Sequence, residues 1–302
     1  MELRHLRYFL AIADAGSFTE GARRLRVAQP SLTRQLRDLE VHLGSQLFLR
    51  TQRGAILTEA GKTLLPEATK AVAQFDNAIR RTQDIGRRTR RLVLGMIPGT
   101  EDALIVHVRK ALGQNMQDVV IDVQSRVPPE LIKALESGTV EAAFIRHGDV
   151  GQEWATKTVR TEALVAILPT RHRLARKRTL APADLSEESF VAVASAVAPA
   201  FRAAVDRCLS QGTRNAAAPW RETDTMLSIF SIAAATRSCS LVPSYFSSML
   251  PKGLVARPLK TVCEADLNLV LAYSADRVPP VLKVLLQSLP EVDRRPETPT
   301  QN

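Results

Sequence analysis

Leu3, Leu6, Phe9, Leu10 and Ala13 recur at the spacing that lines one face of a helix with apolar side chains, and Gly16 closes the run. Ser17-Phe18-Thr19-Glu20 fits a capping box, in which the Ser17 hydroxyl and the Glu20 carboxylate each satisfy a backbone N–H left open at a helix start. A short helix carrying Ala22 and Leu25 is predicted to follow. Beyond Arg26-Val27-Ala28 comes Gln29-Pro30, a proline suited to a first helical turn, and then a helix burying Leu32, Leu36, Leu39 and Leu43 up to Gly44. Two short helices joined by a tight turn, the second with a polar outer face, predict a helix-turn-helix. With Leu32 taken as inward, Pro30, Arg34, Arg37 and Asp38 point outward, with Ser31 and Thr33 on the flanks. Arginine can grip guanine through two hydrogen bonds, glutamine can read adenine, and hydroxyls can hold phosphates. Gln29, Pro30, Ser31, Thr33, Arg34 and Arg37 are therefore the candidate contacts to double-stranded DNA, although such helix pairs also occur in proteins that bind none.

Leu47 to Leu57 reads as two short strands around a glycine-containing turn, with Arg50 and Arg53 near its tip. This is either the wing of a winged helix, reaching DNA backbone or an adjacent groove, or a solvent-exposed hairpin. Thr58 then caps a long helix. Its apolar or small positions at Leu64, Ala68, Ala71, Phe75, Ala78, Thr82 and Ile85 step by four and three, a heptad seam that pairs with a second copy or packs on its own domain. Pro66 removes one helical hydrogen bond and is expected to bend the helix.

From Leu92 onward apolar strands alternate with helices: a strand at 92–97, a helix at 103–112, a strand at 119–124, a helix at 129–136 ending at Gly138 and a strand at 140–145. That order predicts a parallel α/β sheet. A second set has strands at 163–168, 190–194, 240–242, 254–259 and 267–273, with helices at 199–209, 224–235 and 281–289. The tail, 291–302, is rich in proline and charge and is expected to be disordered.

Charge sharpens this division. Of the net charge of +10, residues 1 to 91 carry +8, from 17 Lys and Arg against 9 Asp and Glu; the remainder carries 24 against 22. A basic module joined to a near-neutral body fits binding to DNA or to an anionic membrane, and equally a solvated basic surface. The 302 residues, 45% hydrophobic and 24% charged, suit two or three globular units. No apolar stretch approaches the roughly 18 residues of a membrane helix, so no membrane partner is expected. Cys208, Cys239 and Cys263 sit far apart with no CxxC, which points to a reducing cytoplasm without a disulfide framework or zinc cage. The histidines at 5, 42, 107, 147 and 172 make no metal-ligand spacing, and no cofactor or metal is expected. Gly61-Lys62-Thr63 resembles the end of a phosphate-binding loop, but Ile56 stands where that motif needs glycine; with no GxGxxG after a strand and no GxSxG, an enzyme is not expected.

Along essentially the whole chain this order of parts resembles the LysR-type transcriptional regulators. The match is most specific in residues 1 to 65, MELRHLRYFLAIADAGSFTEGARRLRVAQPSLTRQLRDLEVHLGSQLFLRTQRGAILTEAGKTLL, and looser at LVLGMIPG, ALESGTVEAAFIR, LVAILPTRHRLA and SLVPSYF. The resemblance implies an α/β protein with an N-terminal winged helix-turn-helix, a long linker helix and two α/β subdomains of periplasmic-binding-protein-like type. It implies a homo-oligomer, a dimer or a tetramer, that binds an interrupted palindrome, and RNA polymerase is a further partner of such a regulator. On this basis residues 1–57 form the DNA-binding domain and 58–91 the linker helix and hinge, with Leu64, Ala68, Ala71, Phe75 and Ala78 in the dimer seam. Residues 92–161 with 266–290 form regulatory subdomain I, and 162–265 form subdomain II, with a small effector between them.

In open α/β sheets ligands settle beyond the carboxyl ends of strands, which selects Gly99 and Thr100, Arg146 and Ser195 as effector contacts. Thr100 can offer a hydroxyl and Arg146 a fork for a carboxylate, favouring a small organic anion; alternatively Arg146 pairs with a surface acid and Thr100 caps its helix. The closest flavour is that of regulators of aromatic-acid breakdown, carried by Phe144-Ile145-Arg146-His147. The chain departs from the family where Thr236-Arg237-Ser238 replaces the usual Gly-x-Gly, and where Val127-Pro128-Pro129 offers no side-chain hydrogen bond to the cleft. Thiol sensing by the cysteines, or a regulator without any effector, remains the alternative.

Overall fold

The computed structural model describes residues 1–51, 54–86, 90–113, 116, 118–211, 220–260 and 267–290. Two compact units emerge, divided near Arg88.

In the N-terminal unit three helices, α1 (Leu3–Ala15), α2 (Phe18–Leu25) and α3 (Gln29–Leu43), precede an antiparallel pair, β1 (Phe48–Thr51) and β2 (Gly54–Leu57), and the long helix α4 (Glu59–Gly86). Leu6, Phe9 and Ile12 from α1 and Leu32, Leu36 and Leu39 from α3 meet around Phe48 in one core. Burying each such side chain contributes about 1.5–3 kcal/mol. The Phe48 ring lies 5.4 Å from Phe9 and 5.8 Å from Phe18. Gly16 and Gly44 end their helices in the left-handed region, at φ 59° and 66°. Gly61 has a different necessity: a Cβ there would lie 2.2 Å from the Leu47 carbonyl oxygen, so the start of α4 can cross the hairpin only without a side chain. This close approach accounts for the glycine of the Gly61-Lys62-Thr63 run. Thr58 caps α4 as expected, its Oγ1 accepting from the Gly61 N–H at 3.0 Å and donating to the Gln46 carbonyl at 2.7 Å.

The predicted capping box of α2 is only half made. Ser17 Oγ accepts from the Glu20 N–H at 3.4 Å, but the Glu20 carboxylate turns outward to Arg23, with two contacts of 2.7 Å, and to Arg24. Charge-assisted bonds win over the neutral N–H. The Arg23 bond, helped by Arg24, draws the Glu20 carboxyl down to about 2.

The second unit holds a five-stranded sheet, a three-stranded sheet and a separate two-stranded pair. In the first the order is β4-β3-β5-β12-β6, built from β3 (Arg91–Met96), β4 (Val120–Ser125), β5 (Ala142–Arg146), β6 (Ala155–Arg160) and β12 (Leu269–Tyr273). Helices α5 (Glu101–Leu112), α6 (Pro128–Glu136) and α9 (Pro280–Ser288) supply Leu104, Val108, Leu131, Leu282 and Leu285 to its core. In the second, β7 (Leu164–Pro169) lies between β10 (Ser240–Pro243) and β11 (Leu254–Pro258), while β8 (Phe190–Val193) pairs with β9 (Trp220–Thr223). The Cys239 N–H donates to Ser189 O at 2.7 Å and the Val191 N–H to Cys239 O at 2.9 Å, which ties β8 to the start of β10. Helices α7 (Pro199–Ser210) and α8 (Met226–Thr236) cover this half with Phe201, Val205, Ile229 and Phe230.

The wholly parallel sheet expected from the alternation of strands and helices is not what forms. β3 is parallel to β4 and β5, but β12 runs antiparallel to both β5 and β6, and β7 is antiparallel to β10 and β11. β6 belongs to the first sheet and β7 to the second, so the chain leaves the first sheet after Arg160 and returns as β12. A strand that re-enters from the end where its neighbour left must run against it.

Candidate DNA interface and effector cleft

On α3 the inward residues Leu32, Leu36 and Leu39 are buried, while Gln29, Pro30, Ser31, Arg34 and Arg37 are exposed and Thr33 is half-buried. All six predicted contacts thus lie on or beside one outer face, most of them in the first turns. No side chain caps the α3 N-terminus, where Ala28 is the cap residue and Pro30 sits in the first turn. That end of the helix carries partial positive charge and open N–H groups, which suits a phosphate. The other arginines of the pair of helices are committed: Arg23 and Arg24 to Glu20, and Arg24 also to Asp14. Arg34 and Arg37 make no such pairing among the described residues. Arg26 takes the left-handed conformation, φ 55°, at the turn between the helices. In the hairpin the Arg50 backbone pairs with Ala55, whereas its side chain and the whole of Arg53 lie outside the described residues. Ala55 donates its N–H to the Gly16 carbonyl at 2.8 Å, which anchors the hairpin to the end of α1.

The expected seam on α4 is divided. Ala68 is buried in the unit's own core, and Leu64, half-buried, packs against that core. Their position beside α1 explains this, since Arg7 of α1 also pairs with Asp76 of α4. Ala71, Phe75 and Ala78 are exposed, with Ile79 next to them; Phe75 is 46% exposed and Ile79 45%. The Ile85 side chain lies outside the described residues.

Of the four predicted effector contacts, Gly99 and Arg146 come together through one ring. A Cβ on Gly99, at φ +87°, would lie 3.1 Å from the Phe246 ring and 3.6 Å from that of Tyr245. Arg146, at the end of β5, donates to the Tyr245 hydroxyl at 3.4 Å and lies 5.3 Å from the centroid of Phe201. Its expected partner was an effector or a surface acid. The acid it meets is not on the surface: Arg146 is buried and sits 3.7 Å from the buried carboxylate of Glu162, which also accepts from Arg160 at 2.9 Å. Glu162 could not be picked out along the chain, because it lies on the crossing between the sheets and in no motif. Asp149, just beyond Arg146, accepts from the Ala200 N–H at 2.8 Å, and burial holds its carboxyl above the ordinary range. Arg146 Nε is buried without a hydrogen-bond partner.

Thr100 is the N-cap residue of α5, but its side chain is buried and its hydroxyl donates to Ile97 O at 2.8 Å, so the side chain itself makes no capping hydrogen bond. The backbone N–H of Gly99 is likewise occupied, donating to the Glu101 carboxylate at 2.7 Å. Ser195 is exposed on the turn after β8. The departure at Thr236-Arg237-Ser238 forms a hydroxyl chain: Thr236 Oγ1 donates to Ile232 O at 2.7 Å, and Ser238 Oγ lies 2.7 Å from Thr236 Oγ1 and 2.9 Å from Ser189 Oγ. Arg237 between them takes φ 55°.

Cys208 and Cys239 are buried, and Cys263 lies outside the described residues. Burial, with the neighbouring Glu188 carboxylate, pushes the Cys239 thiol up to about 12, which disfavours the thiolate that redox chemistry needs. No metal-ligand spacing was visible along the chain, yet the fold brings His172, Glu188 and Cys239 together, with donor atoms within 4.8 Å of one another. These residues come from three separate segments of the chain, so no local motif signals them.

No helix among the described residues is long and apolar enough to cross a membrane. The bacterial regulatory helix-turn-helix family of lysR type matches residues 3–62, and the LysR substrate binding domain family matches residues 86–294. The chain is 28% identical over 283 residues to the Hca operon transcriptional activator HcaR of Escherichia coli, covering 94% of this chain and 95% of that protein. It is 34% identical over 184 residues to the regulator TfdT of Cupriavidus pinatubonensis, covering 60% of this chain and 80% of that protein. The crystal structure of CbnR, a LysR family transcriptional regulator, superposes with a TM-score of 0.75 at 20% identity, covering 96% of this chain and 98% of CbnR. Full-length CbnR complexed with its target DNA gives 0.72 at 20% identity, covering 95% and 98%. At that identity the two structures speak for the fold. The two family matches together span almost the whole chain, one on the α3 face and hairpin, the other on the paired sheets. This protein is a member of the LysR family of transcriptional regulators, with a DNA-binding and an effector-binding domain, and not an enzyme.

Proposed function

We propose that the protein acts in the cytoplasm as a homo-oligomer that binds an interrupted palindrome in double-stranded DNA and answers to a small organic anion, a carboxylate attached to a ring. The α3 face carries this reading: two arginines with no ion-pair partner among the described residues stand beside a helix N-terminus that no side chain caps, on a domain that holds most of the chain's positive charge. Gln29, Pro30, Ser31, Thr33, Arg34 and Arg37 enter the major groove, and Arg50 and Arg53 reach the backbone beside it. RNA polymerase is the further partner of a regulator so placed. Ala71, Phe75 and Ala78 make the contact between copies. Regulatory subdomain I comprises 92–161 with 266–290, and subdomain II 162–265.

The effector reading rests on the buried Nε of Arg146, a charged donor with no acceptor, beside the rings of Phe201 and Tyr245. Gly99 lets the backbone lie close against the rings of Phe246 and Tyr245, where a Cβ would crowd Phe246 at 3.1 Å. The same ring-bearing surroundings favour the aromatic-acid flavour. Ser195 is a peripheral contact, and Thr100 contributes shape and no hydrogen bond.

Sequencing the DNA retained by the purified protein from sheared genomic fragments tests the first half; recovery of random sequence at all salt concentrations removes it. Calorimetry against aromatic and aliphatic carboxylates tests the second. Arg146→Ala is expected to abolish binding of the cognate acid, and Thr100→Val to leave it unchanged; binding unaltered by Arg146→Ala removes this pocket.

A further inference from the structure

We propose that His172, Glu188 and Cys239 form a binding site for a divalent cation of the zinc class in the second sheet's half of the regulatory domain. Imidazole nitrogen, carboxylate oxygen and thiol sulfur are the three donor types that zinc accepts, and together they do not suit calcium or magnesium, which demand six or more oxygens. His172 Nε2 lies 3.1 Å from Glu188 Oε2 and 3.9 Å from Cys239 Sγ. Around a tetrahedral ion with bonds of about 2.0–2.3 Å, neighbouring donor atoms sit roughly 3.3–3.7 Å apart. Accommodating the ion therefore requires the His–Glu pair to open slightly and the thiol to close slightly.

The donors stand on fixed backbone. Cys239 and Glu188 are set by the ladder between β8 and the start of β10, where the Cys239 N–H donates to Ser189 O at 2.7 Å. His172 is set by its own N–H, which donates to Pro169 O at 2.9 Å at the end of β7. Arg173 pairs with the second oxygen of Glu188 and so aims Oε2 at the cluster, while its own side chain is 66% exposed and its charge is screened. Cys239 closes the site from the core side. His172 and Glu188 are 12% and 13% exposed, which leaves a path for the ion and for a water as fourth ligand.

One hydrogen bond must be given up. His172 Nδ1 accepts from the Leu174 N–H at 3.2 Å, which places the ring proton on Nε2. Ligation through Nε2 moves that proton to Nδ1, where it faces another N–H. Ion uptake therefore releases the Leu174 amide and loosens the single turn Arg173–Arg176 that His172 caps. Cys239 in turn gives up its thiol proton as the S–metal bond forms, so each ion bound releases one proton to solvent.

Titrating tag-free, metal-stripped full-length protein with Co2+ tests this. One equivalent is expected to bind with a thiolate-to-cobalt charge-transfer band that Zn2+ displaces. Cys239→Ser is expected to abolish the band, and Cys208→Ser and Cys263→Ser to keep it. Glu188→Gln, which preserves shape if the serine variant fails to fold, is expected to weaken binding by about tenfold or more. Hydrogen exchange at the Leu174 amide is expected to accelerate on metal addition. Absence of a stoichiometric band, or a band that survives Cys239→Ser and is unaltered in Glu188→Gln, would overturn the proposal.

Discussion

The guanidinium of Arg146 lies 3.7 Å from the carboxylate of Glu162 with both side chains almost wholly out of water, 5% and 2% exposed. Removing one member of such a pair leaves the other charged and buried, at a cost of about 3–5 kcal/mol, whereas replacing both with apolar groups is often neutral. Arg160 shares Glu162 and cushions the loss of Arg146. Glu162→Leu is therefore the more damaging single change, expected to lower stability by about 3 kcal/mol. Adding Arg146→Met is expected to recover at least half of that. Urea unfolding of the two variants and the parent checks it; strictly additive losses would count against the pairing.

Asp149 gives the regulatory domain a pH dependence of defined sign. Burial raises its carboxyl, opposed by the Ala200 N–H and by Arg146. Because the folded value exceeds the unfolded one, the favourable contribution is complete below the unfolded value of about 3.9 and disappears as pH rises through the folded value. Asp149→Asn keeps an oxygen for the Ala200 N–H and does not titrate. Its stability relative to the parent is expected to rise between pH 4 and pH 7. A difference that is flat across this range, measured by urea midpoints, would contradict the assignment.

At the DNA face, Arg34→Ala is expected to weaken binding to the cognate operator by about 1–3 kcal/mol and to relax preference at one position. Wing substitutions at Arg50 and Arg53 are expected to weaken binding to every sequence and to reduce the salt slope by about one for each phosphate no longer neutralised. Fluorescence titrations at several salt concentrations separate the two; a wing variant with altered base preference and an unchanged slope reverses the roles.

Phe75→Asp places two carboxylates in an apolar contact between copies and is expected to lower the association state. Sedimentation velocity reads this directly. Leu64→Ala is expected to destabilise the DNA-binding unit, because Leu64 packs against its core. An oligomer intact in Phe75→Asp excludes this helix face.

Arg237 ends α8 at φ 55°, a region that costs an ordinary residue about 1 kcal/mol. Arg237→Gly is expected to stabilise the regulatory domain by about that amount, seen as a raised unfolding midpoint; a lowered midpoint means that the arginine side chain contributes more than the strain removes.

The helices of the DNA-binding unit were legible because Leu32, Leu36 and Leu39 repeat at the helical period and Gly16 and Gly44 mark the ends. β6 escaped notice because its sequence, Ala155-Thr156-Lys157-Thr158-Val159-Arg160, carries one strongly apolar residue, and β9, Trp220–Thr223, is mostly polar. Strand direction is not written in local periodicity, so β12 was read as a strand but not as an antiparallel one. The strand-end rule names positions in a loop without saying which way a side chain points, so the turn of the Thr100 hydroxyl onto Ile97 O was not legible. Glu162, Tyr245 and the His172, Glu188 and Cys239 cluster bear on those positions through distant chain segments, and no spacing announces them.

β12 lies between β5 and β6, yet more than a hundred residues of the second half separate it from them in the chain. During synthesis β6 therefore emerges with no neighbour to pair with, and remains so until residues 269–273 have left the ribosome. The first half of the regulatory domain cannot mature before the second has been made. Contacts so distant in sequence fold slowly, and a chain ending before Leu269 would present two unpaired strand edges to chaperones and proteases.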